Sequence, residues 1–226
     1  MFSVKGTIMK RIKIGRVFCA LLAGLCIAGG ANAQDQRFQT SDVIDVTGVD
    51  SFYQGAAWLI RSEEEIEGRI MAKVSTAGDA YTLWGVVFNN PGACASTPCS
   101  ANDIPNGNVG ASVFYTSSTI SAADGGLKEN GKPAGGGVIN FDFEIEGGSL
   151  PDGLFLLVGD PDGLAEDNGF GAEIHFVVDK HPPVPDGMSW ISDLTTTNFP
   201  DMGPATNERV AIFLPCTNAP CPGSIF

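Results

Sequence analysis

The stretch Val138-Ile-Asn-Phe-Asp-Phe-Glu-Ile-Glu146 decides the fold class. Ile139, Phe141, Phe143 and Ile145 alternate with Asn140, Asp142, Glu144 and Glu146. Only a β-strand, whose successive side chains point to opposite faces, gathers all four apolar residues on one side. One face is then buried and the other wetted, as in an antiparallel sheet. Outward from this stretch the same period recurs at 56–61, 68–76 (Ile70, Ala72 and Val74 inward), 80–88, 109–116, 154–158, 172–179 and 209–214. Turn formers separate these runs, among them Asn106-Gly107-Asn108, Asp124-Gly125-Gly126, Gly147-Gly148 and Pro161-Asp162-Gly163. Short strands punctuated in this way predict an all-β protein: a single immunoglobulin-like β-sandwich, or alternatively a Greek-key β-barrel, with long irregular loops. Residues 34–52 and 180–208 show no period and read as irregular connections, and Ser62-Glu-Glu-Glu65 reads as a hairpin tip holding at most one helical turn.

The chain has 226 residues, of which 43% are hydrophobic and 17% charged, a globular composition sparing in charge. Its 29 glycines and 14 prolines supply the many turns that short strands need, without reaching the level of a disordered chain. A net charge of -13 excludes a nucleic-acid surface, which needs clustered Lys and Arg. Lys5, Lys10, Arg11, Lys13 and Arg16 precede an apolar run at 17–28 and then Ala31-Asn32-Ala33, the pattern of a signal peptide cleaved after Ala33. Its apolar core is well short of the ~20 residues that a spanning helix needs, and no later stretch reaches that length. Residues 1–33 thus read as the signal and 34–226 as one β-sandwich domain, exported to the periplasm or the medium with no transmembrane segment. The signal holds five bases and no acids, so the 193 residues after it carry 8 bases against 26 acids, a net charge of -18.

Cys19 and Cys26 belong to the signal, which leaves Cys94-Ala-Ser-Thr-Pro-Cys99 and Cys216-Thr-Asn-Ala-Pro-Cys221. Four cysteines allow three connectivities, and export makes oxidation the default in each. Local bridges, Cys94 with Cys99 and Cys216 with Cys221, are the favoured pairing. A short ring removes little unfolded-chain entropy, so such bridges shape loops more than they add global stability. A four-thiolate zinc site is the alternative, and an oxidising compartment speaks against it.

The blocks Ala80-Tyr-Thr-Leu-Trp-Gly-Val-Val-Phe-Asn-Asn-Pro91, Cys94, Pro98-Cys99, Asn108-Val-Gly-Ala-Ser-Val113 and Gly171-Ala-Glu-Ile-His-Phe-Val-Val178 resemble a group of exported bacterial proteins of unknown function. The resemblance implies export, a β-rich fold and cysteine-bearing loops, and it implies no reaction. The Ala-Glu-Ile-His strand is also similar to CHRD-type domains and to copper-zinc superoxide dismutase, but the His-x-His ligand pair of that enzyme is absent. Val74-x3-Gly78-x2-Tyr81-x-Leu83 resembles the tyrosine corner of immunoglobulin-like and fibronectin type III domains. That likeness implies a structural role for Tyr81, whose phenol would satisfy a backbone group across the corner.

The two histidines, His175 and His181, lie in or beside the 172–179 strand, where alternation places Glu173, His175, Val177 and Asp179 on one face. Glu173, His175, Asp179 and His181 are therefore a candidate transition-metal set, imidazole and carboxylate suiting zinc, copper or iron. Asp160, Asp162, Glu166 and Asp167 crowd hard oxygen donors into one loop, a candidate for calcium without the EF-hand spacing. Cofactor expectations are thus calcium or a transition metal, each set against a plain reading as hydrogen-bonded or solvated side chains. Nucleophile elbow, P-loop and dinucleotide motifs are absent, and every cysteine after the signal reads as paired. Among the aromatics that could stack on sugars, Trp84 reads as core and Trp190 as the best exposed candidate. The leading reading is a non-enzymatic binding or envelope-associated module, with a carbohydrate or an envelope protein as candidate partner and loops 89–106, 160–171 and 181–201 as its variable surface. The second is a metal-dependent periplasmic enzyme or redox protein built on His175, and the third a calcium-stabilised adhesion or carbohydrate-binding domain.

Overall fold

The alternation of the deciding stretch is realised residue by residue: Gly137–Glu146 forms a strand in which buried and exposed positions alternate without a break. The structure is a computed structural model that describes residues 35–46, 54–123, 136–150, 155–181 and 205–223. In chain order the strands are β1 (Arg37–Asp45), β2 (Gly55–Arg61), β3 (Glu65–Val74), β4 (Ala80–Phe88), β5 (Ala111–Ile120), β6 (Ala122–Ala123), β7 (Gly137–Glu146), β8 (Phe155–Gly159), β9 (Glu173–Lys180) and β10 (Thr206–Phe213). The only helices among the described residues are two one-turn 3-10 helices, Pro91–Ala93 and Ala101–Asp103. The protein is all-β, and Ser62–Glu65 is a tight hairpin turn closed by Ser62 N–H on the Glu65 carbonyl at 2.8 Å, with no helical turn. Trp190, the unperiodic part of the 181–201 loop and the signal-like residues 1–33 lie outside the described residues.

All pairings between named strands are antiparallel, in the single order β6-β7-β3-β2-β1-β10-β9-β4-β5-β8. The sheet curls so that its two halves pack face to face. β1 carries it from one half to the other, pairing with β2 from Arg37 to Val43 but with β10 only at Ile44 and Asp45. At the opposite side β5 and β6 are separated by Ser121 alone; the run pairs with β4 before that residue and with β7 after it. Gly137 faces this corner, where a Cβ would lie 2.5 Å from Ser121 Oγ, so the crossing requires glycine. β4, the β5–β6 run and β7 follow one another, β8 then adds to the edge beside β5, and β9 returns to lie beside β4. Sandwich packing and barrel-like continuity, offered by the sequence as alternatives, meet in one curled sheet.

Between the halves, Phe143 of β7 meets Phe176 of β9 edge to face at 4.4 Å between ring centroids, and Phe176 meets Phe213 of β10 at 5.2 Å. Such geometry adds about 0.5–1.5 kcal/mol per pair beyond the area buried. Gly68 in β3 makes room for the stack, since a Cβ there would stand 2.6–2.7 Å from side-chain atoms of Phe143, Leu59 and Phe176.

β1 is a strand that periodicity does not reveal. Its inward residues Gln39 and Ser41 are polar and buried, while Phe38 is 62% exposed. Gln39 Nε2 donates to the carbonyls of Leu214 and Pro222 at 3.1 and 3.0 Å, and the Arg37 guanidinium lies 3.9 Å from the centroid of the Phe170 ring while donating to the Cys216 carbonyl. Side chains thus stitch this half of β1 to the chain after β10, on the side where it has no ladder partner.

The corner before β4 is closed as the tyrosine motif implies. Tyr81 is fully buried; its hydroxyl donates to the Thr76 carbonyl at 3.1 Å and accepts from the Thr76 N–H at 3.3 Å. Burial, reinforced by the charge of Glu208, pushes its phenol up to about 12. Tyr81→Phe leaves the Thr76 N–H unpaired and the Thr76 carbonyl with Ser121 Oγ alone, and is expected to lower unfolding stability by about 1–3 kcal/mol in urea titration. A loss below about 0.3 kcal/mol would show that the phenol does not hold the corner.

Candidate functional site

β4 is buried along its whole length because both of its faces are covered. Tyr81, Leu83 and Val87 join the core between the halves, while Trp84, Val86 and Phe88 form a second apolar cluster on the outside with Val109, Ala111, Val113, Tyr115 and Cys99. Pairing builds this outer face in rows: Val86 between Val113 and His175, Trp84 between Tyr115 and Val177, and Thr82 beside Asp179, which faces Asn207 across β10. Over it lies the loop between β4 and β5, contributing Ala101 and Ile104. A cleft of about 240 Å³ opens between floor and roof, lined also by Phe88, Leu157 and Asn207.

The roof is held by local covalent and polar links. Cys94–Cys99 and Cys216–Cys221 are the two disulfides, the local pairing favoured by spacing. The Asp103 carboxylate accepts from Ala95 N–H, Ser100 N–H and Ser100 Oγ at 2.8–2.9 Å, and these bonds hold its pKa below the usual carboxylate value. Glu173, buried on the floor, accepts the Cys99 N–H on Oε1 at 2.7 Å and has the same oxygen 2.7 Å from His175 Nε2. One carboxylate oxygen therefore ties the roof to the floor and orients the imidazole, which also packs edge to face on Phe88 at 5.0 Å.

Of the four residues proposed for a transition metal, the structure brings Glu173 and His175 into contact and leaves the other two with different surroundings. His181 Nε2 lies 2.9 Å from Thr82 Oγ1, which accepts from Trp84 Nε1 at 3.1 Å. That bond leaves the Thr82 hydroxyl hydrogen for His181, and burial lowers the His181 pKa, so the ring is neutral at neutral pH. Asp179 stands beside the cleft with Oδ1 buried and accepting no hydrogen bond among the described residues, and burial pushes its carboxyl up to about 6.

The calcium candidates also divide. Asp160 and Asp162 form a turn in which Asp160 Oδ1 accepts the Asp162 N–H at 3.1 Å. Glu166 and Asp167 instead line an acidic groove of about 350 Å³ with Glu64, Glu65 and Glu146, residues that no spacing in the sequence connects. Glu65 has its pKa raised there, by burial first and then by Glu144, Glu146 and Glu67. Among the described residues no three His, Cys, Asp or Glu side chains converge as a metal-ion ligand set.

Sequence reasoning also missed Arg61. It is fully buried at the end of β2 and donates to four carbonyls: Gly169 and Ala172 at 3.1 and 2.8 Å, and Phe213 and Leu214 at 3.3 and 3.2 Å. Burial pulls its pKa down to about 9 against the opposing pull of Glu173, so it stays cationic at neutral pH. The period-2 pattern Ala57, Leu59, Arg61 places it inward, the one signal that could have found it. No helix among the described residues is long and apolar enough to cross a membrane. Compared with protein-family models, curated proteins and solved structures, the chain matches none.

Proposed function

We propose that this protein is an exported, non-catalytic binding module whose ligand site is the roofed cleft on the outer face of β4, β5 and β9. The observation that carries this reading is the make-up of the cleft. Its walls are mainly aromatic and aliphatic, its ionisable lining groups are His175 and Asp179, and its roof is fixed by a disulfide and by Glu173. Largely preformed, apolar concavities with few polar groups are what small-molecule sites look like. The Glu173–His175 contact orients an imidazole as a general base requires, but among the described residues the lining offers no hydroxyl, thiol or amine nucleophile beside it. Export rests on the signal-like residues 1–33 and agrees with the two disulfides.

A fragment screen by thermal shift, run on the wild type and on Val177→Trp, tests this. A ligand at a hundred times its Kd adds about 2.7 kcal/mol to the folded state, a clear rise in Tm. Fragments that raise the wild-type Tm are expected to lose that effect when the indole fills the cleft. Fragments that stabilise both proteins equally would place binding elsewhere and overturn the assignment.

A further inference from the structure

The reading of the cleft as a ligand site leaves open what it takes. We propose that it binds a small aromatic ammonium ion, the ring lodged against Trp84, Val86 and Phe88 and the ammonium at the carboxylate of Asp179. The inference rests on the cleft being a binding site and adds the chemical class of the ligand.

Size is the first support. A volume of about 240 Å³ equals about eight water-sized groups, room for one ring with a short arm. Charge is the second. Among the described residues the cleft lining contains no Lys or Arg, yet it holds the carboxylate of Asp179, whose inner oxygen Oδ1 accepts no hydrogen bond from them. A buried acceptor left in this condition costs about 1–3 kcal/mol, and a cation held beside the carboxylate offsets that cost through its charge. Among the described residues, the groups facing Asp179 do not neutralise it. Across β4 it meets Thr82 and across β10 Asn207, both uncharged, and on its own side of the chain the next side chains are Val177 and His181, the latter neutral at neutral pH. Beyond Val177 stands His175, already engaged by Glu173.

Geometry is the third support. Trp84 pairs with Val177 and Thr82 with Asp179, so the indole and the carboxylate are diagonal neighbours on adjacent strands. Such neighbours are about 7–8 Å apart, a span that a ring with a one-carbon ammonium arm bridges. An indole face is also the best aromatic partner for a cation. The acidic character of the chain, with 26 acids against 13 bases, draws cations toward it and disfavours an anion in the same cleft.

The test is calorimetric titration of the disulfide-intact protein with benzylammonium, its neutral counterpart benzyl alcohol, and benzoate, each also against Asp179→Asn. Benzylammonium is expected to bind at least tenfold more tightly than benzyl alcohol, and benzoate not at all. Asp179→Asn should cost benzylammonium at least tenfold while leaving benzyl alcohol unchanged. The advantage of the cation should also grow between pH 5 and 7 as Asp179 ionises. Equal affinity for the alcohol and the ammonium, or a cation affinity indifferent to Asp179→Asn, would overturn the ligand class while leaving the cleft a binding site. No binding of any of the three at millimolar concentration would overturn the inference. In that case a fragment of other chemistry, displaced by Val177→Trp, would show that the broader reading survives without it.

Discussion

Replacing Arg61 by Met should lower the unfolding free energy by about 3–5 kcal/mol, the range seen when one partner is removed from a buried charged network. The methionine fills most of the space of the side chain but donates nothing, so the carbonyls of Gly169, Ala172, Phe213 and Leu214 lose the guanidinium together, Leu214 alone keeping Gln39 Nε2. Those carbonyls belong to the approach to β9 and the end of β10, whereas Arg61 ends β2 in the other half of the sheet. The guanidinium therefore clamps the two halves at one end of the fold. For a domain of this size the change should drop Tm by about 10 °C or more. The control is Arg37→Met, which removes a partly exposed stacking contact, an exposed ion pair and one donor to the Cys216 carbonyl, and should cost less than about 1.5 kcal/mol. Equal losses for the two variants in urea titration would refute the clamp.

Asp179→Asn should act in the opposite direction, stabilising the ligand-free protein. The carboxyl has a folded-state pKa of about 6 against an ordinary value of 3.8, so the folded state holds this proton more tightly than the unfolded chain. Wild-type stability must then fall as pH rises from about 4 to about 6, and stay lower above that. Asparagine carries no such penalty. The variant should be more stable by about 1–3 kcal/mol at pH 8, with the advantage gone near pH 4. His181, whose pKa burial lowers, contributes the reverse trend, its stabilisation fading as pH falls below 6.5. It is present in both proteins and drops out of the difference. Paired urea titrations at pH 4 and pH 8 check the sign, and a variant less stable at pH 8 would mean that the carboxylate has a partner which holds it.

These two residues also show how far the sequence could be read. Strands whose inward residues are apolar, such as β7 with Ile139, Phe141, Phe143 and Ile145, declare themselves by period alone. β1 does not, because Gln39 and Ser41 point inward to bond the chain near its C-terminal end while Phe38 faces out, the reverse of the amphipathic pattern. The same blindness hides Arg61, an inward cation whose partners are carbonyls 108 to 153 residues away. For the site, period 2 correctly placed Glu173, His175 and Asp179 on one face of β9, since that follows from the strand itself. It could not show that the oxygen of Glu173 serves Cys99 and His175, that His181 turns to Thr82, or that Ala101, Ile104 and Leu157 arrive to enclose the face. Those facts depend on how the β4–β5 loop folds back and on β8 pairing beside β5, relations that no local spacing encodes. Nor does spacing announce that Glu64, Glu65 and Glu146 join Glu166 and Asp167 in the acidic groove.

The outer face of β4, β5 and β9 is the proposed meeting place of this protein and its ligand. The direct measurement is a map of amide chemical-shift changes in the isotopically labelled, disulfide-intact protein titrated with the strongest fragment from the screen. The predicted result is a contiguous set of perturbed amides at Trp84–Phe88, Cys99–Ile104 and His175–Asp179, with the outer face of β1, β2 and β3 around Phe38, Trp58 and Arg69 unmoved. Perturbations centred on that second face, or on Glu64, Glu146 and Glu166, would contradict it.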